Sequence, residues 1–298
     1  AEGNCTSTNC NPAGQEPIGY RCPTGVWWCG SESEPISTCD INVATASNAN
    51  LMSAISSASN GNVICLASGN YGTFTGTNKA VTIKAAEGAS PQMTINFGAG
   101  DSGFTLDGMK GMSGSTNSTA SNITIKNSEF TGEVRISGTG AGIVFDGNTH
   151  NNISGYTTSQ RFLADGPVTV KNSHFEGGGS DGVRLGTSQP VYVIGNTFLN
   201  IRDDGSSNHT DMVQLYGGSN AVIRGNLFKQ TISGETQVIG AFDGTGGNLI
   251  EDNVIDVTGR NWGIELYSDD GSIVRHNTLV YKQSCSWSLP CGIIDLNR

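Results

Sequence analysis

The chain repeats itself, and the repeat limits its architecture more than any other feature does. Asn127-Ser-Glu-Phe130, Asn148-Thr-His150, Asn172-Ser-His-Phe175, Asn196-Thr-Phe198, Asn226-Leu-Phe228, Asn253-Val-Ile255 and Asn277-Thr-Leu279 recur at steps of 21, 24, 24, 30, 27 and 24 residues. A short β-rich run precedes most of these asparagines, such as Ile123-Thr-Ile125, Val168-Thr-Val170, Tyr192-Val-Ile194, Ala221-Val-Ile223, Leu249-Ile250 and Ile273-Val274. Roughly a dozen residues earlier lies a second apolar run: Gly182-Val-Arg-Leu185, Met212-Val-Gln-Leu215, Gly263-Ile-Glu-Leu266. One such unit cannot bury its apolar face alone, whereas a stack of them can, so the period predicts a β-solenoid. Leucine-rich repeats have similar length, but their L-x-x-L-x-L signature is absent. The recurrent Asn suits a sharp inter-strand bend, because it tolerates the left-handed backbone. Stacked one per coil, its amide can bond to the coils above and below.

Composition agrees. The 298 residues include 42 Gly and only 8 Pro, 36% are hydrophobic and 14% charged, which fits many short strands joined by tight polar turns. The net charge of −10, with no basic tract, argues against a nucleic-acid partner. It also repels polyanionic substrates, unless local Arg or Lys or a bound cation reverses the field. No apolar stretch approaches the roughly 20 residues needed to cross a bilayer, so no membrane partner is expected. The first residue is Ala1, as expected after removal of a leader.

The eight cysteines fall at the two ends: Cys5, Cys10, Cys22, Cys29, Cys39 and Cys65, then Cys285 and Cys291. An even, clustered set reads as disulfides formed in an oxidising compartment, hence a secreted protein, extracellular or periplasmic. A zinc knuckle is disfavoured because no C-x2-C pair and no His occur in the N-terminal region. Cys285 and Cys291 are the expected pair; the connectivity of the other six stays open.

An exposed first coil needs a lid. Leu51, Ala54, Ile55 and Ala58 lie at helical spacing, predicting a capping helix over 48–59. The expected division is a disulfide-tied extension over 1–47 and a solenoid over 48–298. The order of capping helix, GNVICLASGNYGTF, KAVTIKAAEG and then N-x-F coils resembles the pectate-lyase-like family of right-handed parallel β-helix proteins, across about residues 48–298. The resemblance implies an all-β right-handed parallel β-helix whose partner is a polysaccharide held in a groove along one sheet.

Register taken from the recurrent Asn places Gln160, Arg184, Gln214, Ala241 and Glu265 in one row, and Phe162, Gly186, Tyr216, Asp243 and Tyr267 in a second. Val183, Val213 and Ile264, with Leu185, Leu215, Phe242 and Leu266, take the alternate, inward positions. Arg184, Gln214, Tyr216, Asp243, Glu265 and Tyr267 are thus expected on one outer patch. The longest step carries an insertion, Asp203 to Asp211, directly before one of these strands, and extra loop on a rigid scaffold is where function lodges. It holds His209. The other histidines, His150, His174 and His276, flank turns and read as structural. Asp181 and Asp211 share a register, either as turn caps or as ligands of a calcium ion. Trp262 is a candidate stacking platform, whereas Trp27 and Trp28 read as packing.

Two chemistries fit this set. In β-elimination of a uronate polymer, Arg184 neutralises the carboxylate, His209 removes the neighbouring proton, and Tyr216 or Tyr267 protonates the leaving oxygen. Calcium on Asp181 and Asp211 would add positive charge, and an epimerase would begin with the same proton abstraction. In hydrolysis, Asp243 and Glu265, with Asp211 nearby, would flank the scissile bond. The NTD, DD, GHG and RIK motifs of polygalacturonase-like hydrolases are absent apart from Asp203-Asp204, and Asn208-His-Thr-Asp211 only faintly matches the Asp-Pro-His-Asp of mannuronan epimerases. A non-catalytic sugar-binding β-helix is the third reading. The expectation is a monomeric, secreted lyase of an acidic glycan, with Gln214, Glu265, Asp243 and Trp262 binding substrate.

Overall fold

The computed structural model describes residues 38–117, 119–151, 161–202, 210–232, 234, 236–241, 244–257, 261–267, 269–281 and 292–295, and the backbone of two short strands before them. The chain forms two compact units, Ala1–Cys39 and Asp40–Arg298. In the first, strand Cys10–Pro12 pairs antiparallel with Trp27–Cys29. The second is a right-handed parallel β-solenoid of about nine turns. Strand Ile41–Val43 pairs in parallel with Val63–Leu66. Cys39 and Cys65 are joined as a disulfide. Cys285 and Cys291 lie outside the described residues.

One wall of the solenoid is an eleven-stranded sheet; the other two walls belong to a sixteen-stranded sheet. The long strand Glu129–Ile136 joins those two walls by turning a corner. Its start pairs with Thr149–Asn151 and its end with Phe162–Ala164, with an irregularity between Phe130 and Val134. The expected lid is present as helix Asn48–Ser57, with the Ser47 hydroxyl accepting from the Asn50 N–H at 3.1 Å. Leu51, Ala54 and Ile55 face the core. Lys79 closes the other end of the helix, donating to the carbonyls of Ile55, Ser56 and Ala58 at 2.7–2.8 Å, which places a cation on the negative pole of the helix dipole.

The recurrent Asn does two jobs that the sequence merges into one. At each bend a residue with positive φ is followed by a polar residue, buried in every coil but the last of these. The first position holds Asn127, Gly147, Asn172, Gly195, Gly225, Asp252 and His276. The second holds Ser128, Asn148, Ser173, Asn196, Asn226, Asn253 and Asn277. Asn127 and Asn172 therefore make the bend, and Ser128 and Ser173 take the ladder positions in those coils. Each ladder N–H donates to the side chain of the next coil at 2.9–3.1 Å, giving true steps of 20, 25, 23, 30, 27 and 24 residues. Each ladder amide also donates back to a strand carbonyl of the preceding coil, as Asn226 does to Val193 at 2.9 Å. The ladder thus satisfies backbone groups that a bend would otherwise bury unpaired.

Inside, Phe130, His150, Phe175, Phe198 and Phe228 stack with centroids 4.5–4.9 Å apart. His150 is wholly buried, and neither ring nitrogen has a hydrogen-bond partner. Burial, then the charge of Arg161, holds its pKa well below the ordinary value. It serves as a ring in the stack, as expected of a structural histidine. His174 bonds instead to Glu176 at 2.9 Å. On the outside of the eleven-stranded sheet, Lys84, Asp107, Lys126, Asp146 and Lys171 alternate in sign on adjacent rungs. Arg224, Glu251 and Arg275 continue the row, with Glu251 bridging both arginines. Opposite charges directly across strands favour this stacking over one that places like charges together.

Two stability predictions follow from the stack. Asn226→Ala orphans the Asn196 N–H and the Val193 carbonyl, so denaturant titration should show a loss of about 3 kcal/mol, against a smaller loss for the half-buried Asn277→Ala. His150→Phe tests the ring stack. The unfolded state takes up a proton near pH 6.5 that the folded state refuses, so the wild type loses stability as pH falls through that value. The variant should be spared that loss, as urea titrations at pH 7 and pH 5 would show. Equal acid losses in both proteins would contradict the assignment.

Candidate functional site

The third wall carries the polar patch. Its central row is Arg135, Leu163, Arg184, Gln214, Gly240 and Glu265, one residue per coil. Two residues further along each strand run Ser137, Asp165, Gly186, Tyr216 and Tyr267, whose N–H groups bond to the coil below, as Tyr216 does to the Leu185 carbonyl at 2.8 Å. Strand alternation turns both rows away from the core that Val183, Leu185, Val213, Leu215, Ile264 and Leu266 build, although Leu163 and Glu265 of the central row are themselves covered. Rungs about 4.8 Å apart make these side chains neighbours although they are distant in sequence.

The contacts along the wall form a chain of opposite charges. Glu133 reaches Arg135 at 3.8 Å, Arg135 reaches Asp165 at 3.7 Å, and Asp165 reaches Arg184 at 4.0 Å. The Arg184 guanidinium then lies 4.4 Å over the Tyr216 ring. Tyr216 and Tyr267 are about half exposed, at 47% and 49%. Gly186 makes room for Asp165, since a Cβ at that position would overlap the Asp165 carboxylate.

Behind the wall, at the corner where these strands begin, sits a second polar group. The Asp211 N–H donates to an Asp181 carboxylate oxygen at 2.9 Å, placing the two acids on adjacent rungs as expected. Asp211 is fully buried, however, and neither of its oxygens has a hydrogen-bond partner. Burial, then the charges of Asp181 and Glu265, pushes its pKa well above the ordinary carboxylate value. Burial raises Asp181 to about 6, against the opposing pull of the Asp211 N–H, Arg184 and Arg161. Arg161 is also fully buried and donates to the carbonyls of His150, Glu176 and Gly177. Burial lowers its pKa to about 10, and Asp181 works the other way. Gln237 is in register with Asp211 and buried, with its side-chain oxygen unpartnered.

The structure brings Arg184, Gln214, Tyr216, Tyr267 and Glu265 to one wall, although Glu265 is only 7% exposed. Trp262 lies on strand Asn261–Leu266, in register with Gln237. His209, Asp243, Gln160, Phe242 and the Asp203-Asp204 pair lie outside the described residues. Two row assignments are corrected. Phe162 points into the core and Leu163 takes the outer row; Ala241 likewise packs inside and Gly240 takes its place. Both slips arise because the number of residues between wall and bend varies from coil to coil. Arg135, Asp165 and Arg161 were missed. The alternation Val134-Arg-Ile136 matches Val183-Arg-Leu185 and was the available signal for Arg135.

Among the described residues no group of three or more His, Cys, Asp or Glu is arranged to hold a metal ion. The two expected calcium ligands, Asp181 and Asp211, stand on adjacent rungs of the corner, with Gln237 in register with Asp211 on the next rung. No chemical step below is routed through calcium.

Residues 111–279 match the family described as "Right handed beta helix region". No curated protein matches the chain by sequence. Similar solved structures include PfbA, a surface adhesin of Streptococcus pneumoniae, at 12% identity over 78% of this chain and 86% of that one, with a TM-score of 0.44. The alginate lyase AlyF-OU02 in complex with G6 is 15% identical over 87% of this chain and 64% of that one, with a TM-score of 0.46. Full-length tailspike protein 2 from Escherichia coli O157:H7 bacteriophage CAB120 is 9% identical over 92% and 44%, with a TM-score of 0.41. The chain thus spans less than two thirds of the lyase and of the tailspike, and at these identities and TM-scores the likeness carries no argument about activity. By its matched region, more than half of its length, and by its parallel coils, the chain belongs to the right-handed β-helix family.

Proposed function

We propose that this is a secreted, carbohydrate-acting β-helix protein, and specifically a lyase that cleaves an acidic, uronate-containing polysaccharide by β-elimination. The observation that carries this reading is the Arg184 guanidinium, set in the outward row and resting 4.4 Å over the half-exposed Tyr216 ring. A planar cation backed by an aromatic face suits a carboxylate on a sugar ring, which can pair with the guanidinium while its ring stacks on tyrosine.

Pairing with Arg184 lowers the charge on the uronate carboxylate and so makes the C–H beside it more acidic. A base then removes that proton; His209 is proposed for this from its position in the inserted loop. The C–H electrons form a double bond to the next carbon, and the glycosidic C–O bond breaks. The departing oxygen takes a proton from the hydroxyl of Tyr216 or Tyr267. Gln214, Glu265, Asp243 and Trp262 are proposed to hold the neighbouring sugars.

Elimination is favoured over hydrolysis by what stands open on the wall. A hydrolase needs two carboxyl groups flanking the bond. Among the described residues of the two rows, the most exposed are Arg135, Tyr216 and Tyr267, a cation and two hydroxyl donors of the kind elimination uses.

A panel of acidic and neutral polysaccharides tests the proposal. The expected product carries a conjugated C=C that absorbs at about 235 nm and appears together with new chain ends. Arg184→Gln and His209→Ala should each lower kcat/KM by about two to three orders of magnitude with the fold intact. New reducing ends without the absorbance would make the protein a hydrolase, and binding without either would make it a sugar-binding module.

A further inference from the structure

The two arginines of the wall share one carboxylate in an unusual way. Arg135 and Arg184 occupy the same row two rungs apart, about 9.6 Å along the solenoid axis, with the apolar Leu163 between them. The Asp165 carboxylate sits across the gap, at 3.7 Å from one guanidinium and 4.0 Å from the other. Both separations exceed the roughly 2.7–2.9 Å of a charge-assisted hydrogen bond, so Asp165 is held near both cations and locked to neither. It reaches that place only because Gly186 has no side chain. The Arg135 side chain is 48% exposed and Asp165 23%, so a ligand can reach both.

We propose that Asp165 is an internal stand-in for a substrate carboxylate, occupying the space between Arg135 and Arg184 in the free protein and yielding it when an acidic glycan binds. Arg135 is then a second carboxylate-binding residue, and the site selects polymers that carry acid groups along a run of sugars. A neutral glycan cannot displace Asp165, because it offers the arginines no replacement charge. No covalent step is involved; one carboxylate exchanges for another. The inference rests on the acidic-glycan reading above.

The test is equilibrium binding of polygalacturonate and of alginate, at neutral pH and low ionic strength, to the wild type and to three variants. Asp165→Asn removes the competing charge and should tighten binding about three- to ten-fold, whereas Arg135→Gln should weaken it about ten-fold. Gly186→Ala pushes the Asp165 carboxylate out of its place while leaving its charge, and should also tighten binding; it keeps the test valid if Asp165→Asn folds poorly. A purely structural ion pair would lower the melting temperature of Asp165→Asn without tightening binding, and that result would overturn the inference. Binding seen only in Asp165→Asn or Gly186→Ala would support it. If neither polymer binds any of the proteins, the acidic-glycan function falls and the stand-in falls with it. If the wild type binds and the two variants bind no tighter, only the stand-in falls.

Discussion

The hydrogen bond from each ladder N–H to the polar side chain of the next coil is the constraint on which the rest of this structure depends. A parallel solenoid has no tight hairpin to set its register, and its coils differ in length from 20 to 30 residues. A coil that slipped by one residue would turn its core side chains out to solvent and its charges inward. The buried amides of Asn148, Asn196, Asn226 and Asn253 penalise such a slip, because each would leave several backbone groups without partners. The ring stack and the alternating charges on the eleven-stranded sheet favour the same alignment. Length differences are therefore expelled into corners and loops, and the walls stay in step.

A wall in step is what turns single residues into a site. Arg135, Arg184, Gln214 and Glu265 come from four different coils, yet they stand in one row because each occupies the same place in its strand. The two polar groups differ in character. The outer rows are partly open, with Arg135, Tyr216 and Tyr267 about half exposed. The corner behind them is closed, and there desolvation governs: it raises the pKa of Asp211 and of Asp181 and lowers that of Arg161, which donates to three backbone carbonyls.

Much of this could be read from the residues. The period, the strands, the capping helix and the inward alternation of Val183-x-Leu185 and its counterparts are set by local chemistry that repeats, so the pattern survives without coordinates. The row of Arg184, Gln214 and Glu265 followed from it. The errors have a physical source. Asn suits both the left-handed bend and the ladder, and Ser can replace it in the ladder, so aligning on Asn placed Asn127 and Asn172 one residue early. Counting back from the bend failed where the corner changed length, at Phe162 and Ala241. Arg135 escaped because its strand bends around a corner and belongs to two walls at once. The burial of Asp211 was hidden for another reason: an acid at a strand start is ordinarily solvated, and only the stacked coils close it off.

The central claim is that outward residues of successive coils form one glycan-binding face, with Arg184 over Tyr216 at its middle. A crystal structure of the protein with a bound acidic oligosaccharide tests it most directly. The account predicts a sugar chain lying along the two rows, with one carboxylate on Arg184 and a ring against Tyr216. An oligosaccharide seated on another wall, or a fold in which Arg135, Arg184 and Glu265 do not share a face, would contradict it.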